Sequence, residues 1–71
     1  MKHKVEIKWD DIFKQWVVYV YRIGFSGHYM KTSVKHFKSE DEAIRFAQVK
    51  KKKYLCQVYI YDKSGDIRTT I

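Results

Sequence analysis

The sequence has no proline, a single cysteine and no long apolar segment. The lone cysteine, Cys56, cannot form a disulfide within the chain, and free thiols are typical of a reducing compartment. No stretch approaches the roughly 20 apolar residues that a membrane-spanning helix needs. Residues 5–9 alternate apolar and charged side chains, unlike the continuous apolar stretch of a secretion signal. We therefore expect a cytoplasmic protein that does not bind a membrane.

A chain of 71 residues has room for one domain, which we place over residues 1–71. A domain of this size buries only roughly 60% of the surface that its unfolded chain exposes, so its stability is marginal. Aromatic residues make up 17% of the sequence. Their large apolar areas can take the place of the disulfides or metals that often stabilise small domains.

The charge is strongly biased, with 15 Lys and Arg residues against 8 Asp and Glu residues and a formal net charge of +7. Such a balance favours a polyanionic partner such as nucleic acid, although a basic surface also serves solubility alone. The only low-complexity segment is the lysine run at residues 50–53.

Five segments have the pattern of β-strands, either alternating apolar with polar residues or rich in β-branched and aromatic residues. Turn-forming residues separate several of them, at 10–11, 24–27 and 62–65. In the fourth segment Cys56, Val58 and Ile60 share one face, which we expect to enter the core. The predicted strands are residues 5–9, 16–23, 28–37, 55–61 and 66–71.

One helix is predicted after the third strand, beginning at Ser39. Ser39 and Glu42 have the spacing of a capping box, in which each side chain binds the backbone amide of the other residue. Ala43 and Ala47 follow on one face and allow close packing on a sheet. The order β-β-β-α-β-β predicts a single two-layer α+β domain, an antiparallel sheet with the helix packed on one face.

Residues with catalytic or metal-binding chemistry are scattered. Cys56 falls on the predicted core face, so we expect a buried and inert thiol. The acidic clusters at 10–11 and 40–42 fit a turn and a helix cap, not a pair of carboxylates with separated pKa values. The histidines lack the close spacing of metal ligands. We expect a non-enzymatic binding module that uses no metal and no cofactor.

Tyrosines and lysines alternate along the predicted sheet, which suits base stacking and phosphate neutralisation. In this pattern Lys31 and Lys35 share a face with Tyr29, and the hairpin around residues 24–27 has the form of a ribbon that fits a DNA major groove. The same tyrosines are also good strand formers that pack across neighbouring strands. Nucleic acid, DNA ahead of RNA, is the first predicted partner. The candidate contacts are Tyr19, Tyr21, Arg22, His28, Lys31, Lys35, Lys50, Lys51 and Lys53.

The alternative is an accessory or inhibitor protein that docks on a larger host protein or enzyme. Aromatic residues dominate binding hot spots, and exposed Trp9, Phe13, Phe25 and Tyr29 would be the anchors. An edge strand could also pair with a second copy of the chain to form a homodimer.

Two stretches carry a resemblance to known families, residues 16–22 (WVVYVYR) and residues 37–43 (FKSEDEA). Over residues 12–50 the chain resembles the arm-type DNA-binding domain of phage-type tyrosine recombinases. That resemblance implies three strands and a helix, with Tyr19, Tyr21, Arg22, Lys31 and Lys35 on a sheet face that enters the major groove. The recombinase catalytic domain has no counterpart here.

The added segment at residues 58–67 (VYIYDKSGDI) makes more of the chain similar to a family of small uncharacterised bacterial β-β-α-β domains. This second resemblance implies the fold and no activity. Both patterns largely encode a hairpin, a capped helix and a turn, which unrelated domains can share.

Overall fold

The computed structural model describes residues 2–71 and contains the predicted elements in the predicted order. The α+β two-layer domain with one helix is therefore confirmed. The elements are β1 (His3–Asp10), β2 (Gln15–Ile23), β3 (Tyr29–Phe37), α1 (Glu40–Tyr54), β4 (Val58–Tyr61) and β5 (Ile67–Thr70).

The five strands form one sheet in the order β3-β2-β1-β4-β5. The expectation of a purely antiparallel sheet is wrong, because β4 pairs with β1 in parallel. The cause is the helix: β3 already runs parallel to β1, and α1 returns the chain to the end of the sheet where both strands begin. A strand entered from there can only run in the direction of β1.

β1 is the central strand, and its alternating residues build the core. Val5 and Ile7 are fully buried and lie opposite Val20 and Val18 of β2. Ala43 and Ala47 of α1 are also fully buried, and their small side chains bring the helix close to the sheet. Burial of each Val or Ile side chain contributes about 1.5–3 kcal/mol. The predicted inward face of the fourth strand, Cys56, Val58 and Ile60, is confirmed.

The helix ends show how local chemistry positions α1. The Ser39 hydroxyl accepts a hydrogen bond from the Glu42 amide at 3.1 Å, so the predicted N-cap is confirmed. The reciprocal contact differs from the prediction, because the Glu42 carboxylate accepts from the Ser39 hydroxyl at 3.2 Å and not from the Ser39 amide. Leu55 ends the helix in the left-handed conformation (φ 53°, ψ 52°), where its amide donates to the Lys51 carbonyl. Because of this cap, β4 begins at Val58 and not at the predicted residue 55.

Replacing Leu55 with glycine is expected to raise the free energy of unfolding by about 1 kcal/mol. Leucine carries a steric cost at positive φ that glycine avoids, and the Leu55 side chain is 80% exposed, so little packing is lost. The midpoint of thermal unfolding, followed by circular dichroism, is expected to rise by roughly 4–8 °C.

The matched control is Lys52→Gly, at an exposed position inside the helix. Glycine there is expected to lower the free energy of unfolding by roughly 1 kcal/mol. A lower midpoint for Leu55→Gly as well would contradict the assignment of conformational cost to Leu55.

Candidate nucleic-acid interface

The sheet face opposite α1, here called the open face, carries most of the tyrosines. Cross-strand pairing places Glu6 of β1 directly between Tyr19 of β2 and Tyr59 of β4 on this face. The predicted contacts Tyr19, Tyr21 and Lys31 are brought together here. Arg22, expected on the same face from the recombinase resemblance, instead pairs with His3 and lies on the helix side. Five of the six tyrosines lie on it: Tyr19, Tyr21, Tyr29, Tyr59 and Tyr61.

Glu6 is buried at the centre of the open face, with only 6% of its surface exposed. Its carboxylate accepts a hydrogen bond from the Tyr61 hydroxyl at 3.2 Å. Lys4 and Lys8 approach the same carboxylate at 3.3 and 3.5 Å. A buried charge is tolerated where it is paired and hydrogen-bonded, and Glu6 meets both conditions.

The titration of two tyrosines reflects this arrangement. Burial raises the pKa of Tyr61 above its ordinary value, and the negative charge of Glu6 raises it further. The pKa of Tyr21 is raised by the same two causes in the same order. Both phenols therefore remain neutral hydrogen-bond donors at physiological pH.

The lysines of the open face lie over tyrosine rings. The ammonium of Lys4 is 4.4 Å from the centroid of Tyr29, and that of Lys31 is 4.6 Å from the centroid of Tyr19. Lys8 similarly lies 4.9 Å from the Tyr61 ring. Because these ring faces already hold cations, base stacking across the centre of the open face would first have to displace them.

Lys35 does not join this face, which corrects the prediction that it shares a side with Tyr29 and Lys31. A β-bulge at Thr32 shifts the register, so that Lys31 pairs with Tyr21 but Lys35 pairs with Val18 on the helix side. The Thr32 hydroxyl donates to the Val20 carbonyl at 3.2 Å within the bulge. Lys35 instead lies 5.2 Å from the ring of Phe46 in α1.

Acidic and basic residues are concentrated at opposite ends of the sheet. One end of the sheet, here called the acidic end, holds the β1–β2 turn, the start of α1 and the β4–β5 turn. Seven of the eight acidic residues lie in these segments, and the eighth is Glu6. The seven are Asp10, Asp11, Glu40, Asp41, Glu42, Asp62 and Asp66.

The opposite end, here called the basic end, holds the start of β1, the β2–β3 turn and the last turn of α1. No acidic residue of the described chain, residues 2–71, lies in these segments. The residues of the basic end are Lys2, His3, Lys4, Arg22, His28, Lys31, Lys51, Lys52 and Lys53.

Direct contacts hold the basic end together. The rings of His3 and Tyr54 stack at 4.1 Å with an interplanar angle of 12°, which ties the end of α1 to the start of β1. Lys53 lies 5.4 Å from the Tyr54 ring, and Arg22 is the cross-strand partner of His3. The lysine run and the hairpin, distant in the sequence, are therefore neighbours. Lys50 lies one helical turn before Tyr54, beside the ring of Phe46.

The hairpin does not project as a separate ribbon. β2 pairs with β1 along the whole length of β1, from His3 opposite Arg22 to Asp10 opposite Gln15. Only the turn at residues 24–28 extends beyond the sheet, and it carries Phe25 and His28, both exposed. A contact with a groove would therefore use this turn and the neighbouring edge strand β3.

The four aromatic anchors proposed for a protein partner do not converge. Trp9 is not an exposed anchor, because it packs on Trp16 with ring centroids 5.1 Å apart and is covered by Lys63 at 4.2 Å. Phe13 lies at the acidic end and is 71% exposed, whereas Phe25 and Tyr29 lie at the basic end.

Three contributors to this geometry were missed by the sequence reasoning: the pair Lys2 and His3, the buried carboxylate of Glu6, and Tyr54. A signal existed for the first, since residues 2–4 are visibly basic. The proximity of Lys2 and His3 to the lysine run depends on β1 lying in the middle of the sheet, which local sequence patterns do not predict.

Within residues 2–71, no group of three or more potential metal ligands comes together, and no helix has the length and apolar character to cross a membrane. Comparison of the chain with protein-family models, curated proteins and solved structures finds no match.

Replacing Glu6 with glutamine is expected to lower the pKa of Tyr61 and of Tyr21, since the nearby negative charge is removed. Folded-state pKa values above the unfolded value of about 10 make the free energy of unfolding fall as pH rises past that point. In Glu6→Gln the free energy of unfolding should fall less as the pH rises. Phenolate absorbance and denaturant unfolding across this pH range provide the two measurements.

The control for this change is Asp41→Asn, which removes an exposed carboxylate in the first turn of α1. It is expected to leave the tyrosine titration unchanged. An identical titration curve for Glu6→Gln would show that the Glu6 charge does not act on the phenols.

Cys56 is expected to resist thiol reagents in the folded protein. Its surface is 3% exposed, and burial raises the pKa of the thiol above its usual range. Reaction with a chromogenic disulfide reagent should be complete in denaturant and slower by orders of magnitude without it. Rapid labelling of the native protein would contradict this.

Proposed function

We propose that this protein is a non-enzymatic module that binds nucleic acid through the basic end, in a reducing compartment such as the cytoplasm. DNA is the first candidate ligand and RNA the second. The observation that carries the proposal is the separation of charge, with seven acidic residues at one end and only basic and neutral residues at the other.

The state of the basic side chains supports the same proposal. Among the described residues, Lys4 is the one member of the basic end that forms an ion pair, with Glu6. The remaining lysines, together with Arg22, are available to neutralise phosphates. Such contacts release counterions and account for most non-specific affinity for nucleic acid.

The basic end also covers both sides of the sheet. Lys4, Lys31 and Tyr29 lie on the open face, whereas Arg22 and Lys53 lie on the helix side. A nucleic-acid strand that crosses the basic end would therefore contact cations, with aromatic rings next to them. This combination is typical of surfaces that follow a phosphate backbone.

The acidic end favours a second candidate function, a contact with another protein. Ile12 and Phe13 are adjacent, and their exposed fractions are 84% and 71%. Their turn is held by Asp10, whose carboxylate accepts from both backbone amides at 2.9 and 3.2 Å. An ordered apolar pair of this kind could anchor a larger protein. Capture of a stoichiometric partner after nuclease treatment, lost in Phe13→Ala, would support it.

The nucleic-acid proposal is tested with two double variants, each of which removes two positive charges from one end of the sheet. Arg22→Gln with Lys53→Gln changes the basic end, and Lys14→Gln with Lys63→Gln changes the acidic end by the same net charge. Binding of labelled DNA and RNA is measured by fluorescence anisotropy over a range of salt concentrations. The basic-end pair is expected to weaken binding and to reduce the slope of log K against log[salt] by about 2, one per phosphate contact.

The acidic-end pair is expected to leave the slope unchanged, although it lowers the net charge equally. Equal losses for the two pairs would mean that net charge alone, and no defined surface, drives binding. Absence of binding by the unaltered protein at low salt would refute the proposed function.

A further inference from the structure

Phe25 lies at the tip of the β2–β3 turn and is fully exposed. Its sequence neighbours are small, with Gly24 before it and Ser26 and Gly27 after it. A Cβ added at Gly27 would meet no atom within 4 Å, so this side of the turn is open. Because the Phe25 side chain is fully exposed, both faces of its phenyl ring are accessible to a planar ligand.

The turn that carries Phe25 is held by hydrogen bonds at both ends. The Gly24 amide donates to the His28 carbonyl at 3.0 Å, and the Gly27 amide donates to the Gly24 carbonyl at 3.1 Å. Gly27 has a φ of 81°, which favours glycine. The Ile23 amide also donates to the Lys2 carbonyl at 2.8 Å, which fixes the turn to the start of β1.

The turn that carries Phe25 has cations beside it. Arg22 precedes the turn, and Lys2 is held next to it through Ile23. An exposed apolar ring close to cations suits a ligand with negative charges and flat apolar surfaces. Nucleotides combine these two features, because each phosphate is linked to a base with two stacking faces.

We propose that Phe25 stacks on an unpaired base, so that the preferred ligand is single-stranded nucleic acid. This inference rests on the proposed nucleic-acid function. A phenyl ring has no hydrogen-bonding group with which to read base edges in a groove. It can only stack or wedge, and in a duplex that requires a base step to open at a cost of a few kcal/mol. In a single strand the base faces are already accessible.

The test compares an oligothymidine of about 12 nucleotides with a duplex of the same length, by fluorescence anisotropy. The unaltered protein is expected to bind the single strand more tightly than the duplex. Phe25→Ala is expected to weaken single-strand binding by about 5- to 150-fold, the usual effect of losing one stacked base. Its salt slope should stay unchanged, because no charge is removed.

Two further variants make the result specific. Phe25→Trp should retain affinity, and its added indole fluorescence should be quenched when the oligonucleotide binds. Phe13→Ala removes another exposed phenyl ring, 71% exposed, at the acidic end and should bind as the unaltered protein does. Circular dichroism of each variant verifies that the fold is intact.

An affinity of Phe25→Ala within twofold of the unaltered protein would overturn the stacking role, and so would duplex binding as tight as single-strand binding. In either case the double variant Arg22→Gln with Lys53→Gln can still bind more weakly and with a smaller salt slope. The proposed function would then stand without this inference. No binding to either oligonucleotide, nor to the labelled RNA of the salt series, would instead refute the proposed function itself.

Discussion

The packing of α1 on β1 is the constraint on which the other features of the molecule depend. Ala43 and Ala47 bring the helix against the central strand, above Val5 and Ile7. The helix axis then carries its last turn to the start of β1, where Tyr54 stacks on His3. The same crossover makes β4 parallel to β1. One close contact thus determines both the topology of the sheet and the position of the lysine run.

Charge separation follows from this geometry and from ordinary helix chemistry. Carboxylates in the first turn and lysines in the last turn are each favoured by the helix dipole. The acidic turns at residues 10–11 and 62–66 lie beside the first turn because β1 and β4 end there. Features that stabilise individual elements therefore add up to a polarised molecule, and the polarity is what supports a role in binding a polyanion.

The tyrosines and lysines at the centre of the open face have a different role from the cations of the basic end. At the centre of the open face, Glu6 pairs with Lys4 and Lys8 and accepts a hydrogen bond from Tyr61, so these groups satisfy one another. At the basic end Arg22 and Lys53 have no carboxylate among the described residues to pair with. The sheet centre is thus an ordered support, and the surface with unsatisfied positive charge lies at its margin.

Local patterns in the sequence were sufficient for the elements, the Ser39 cap and the buried face of β4, because capping and alternation depend on near neighbours. They could not show the parallel pairing of β4 or the bulge at Thr32 that moves Lys35 to the helix side. They also could not show that residues 2–4, the hairpin and the lysine run meet at one end. Those relations join segments far apart in the chain, and only the packing of the helix across the sheet brings them together.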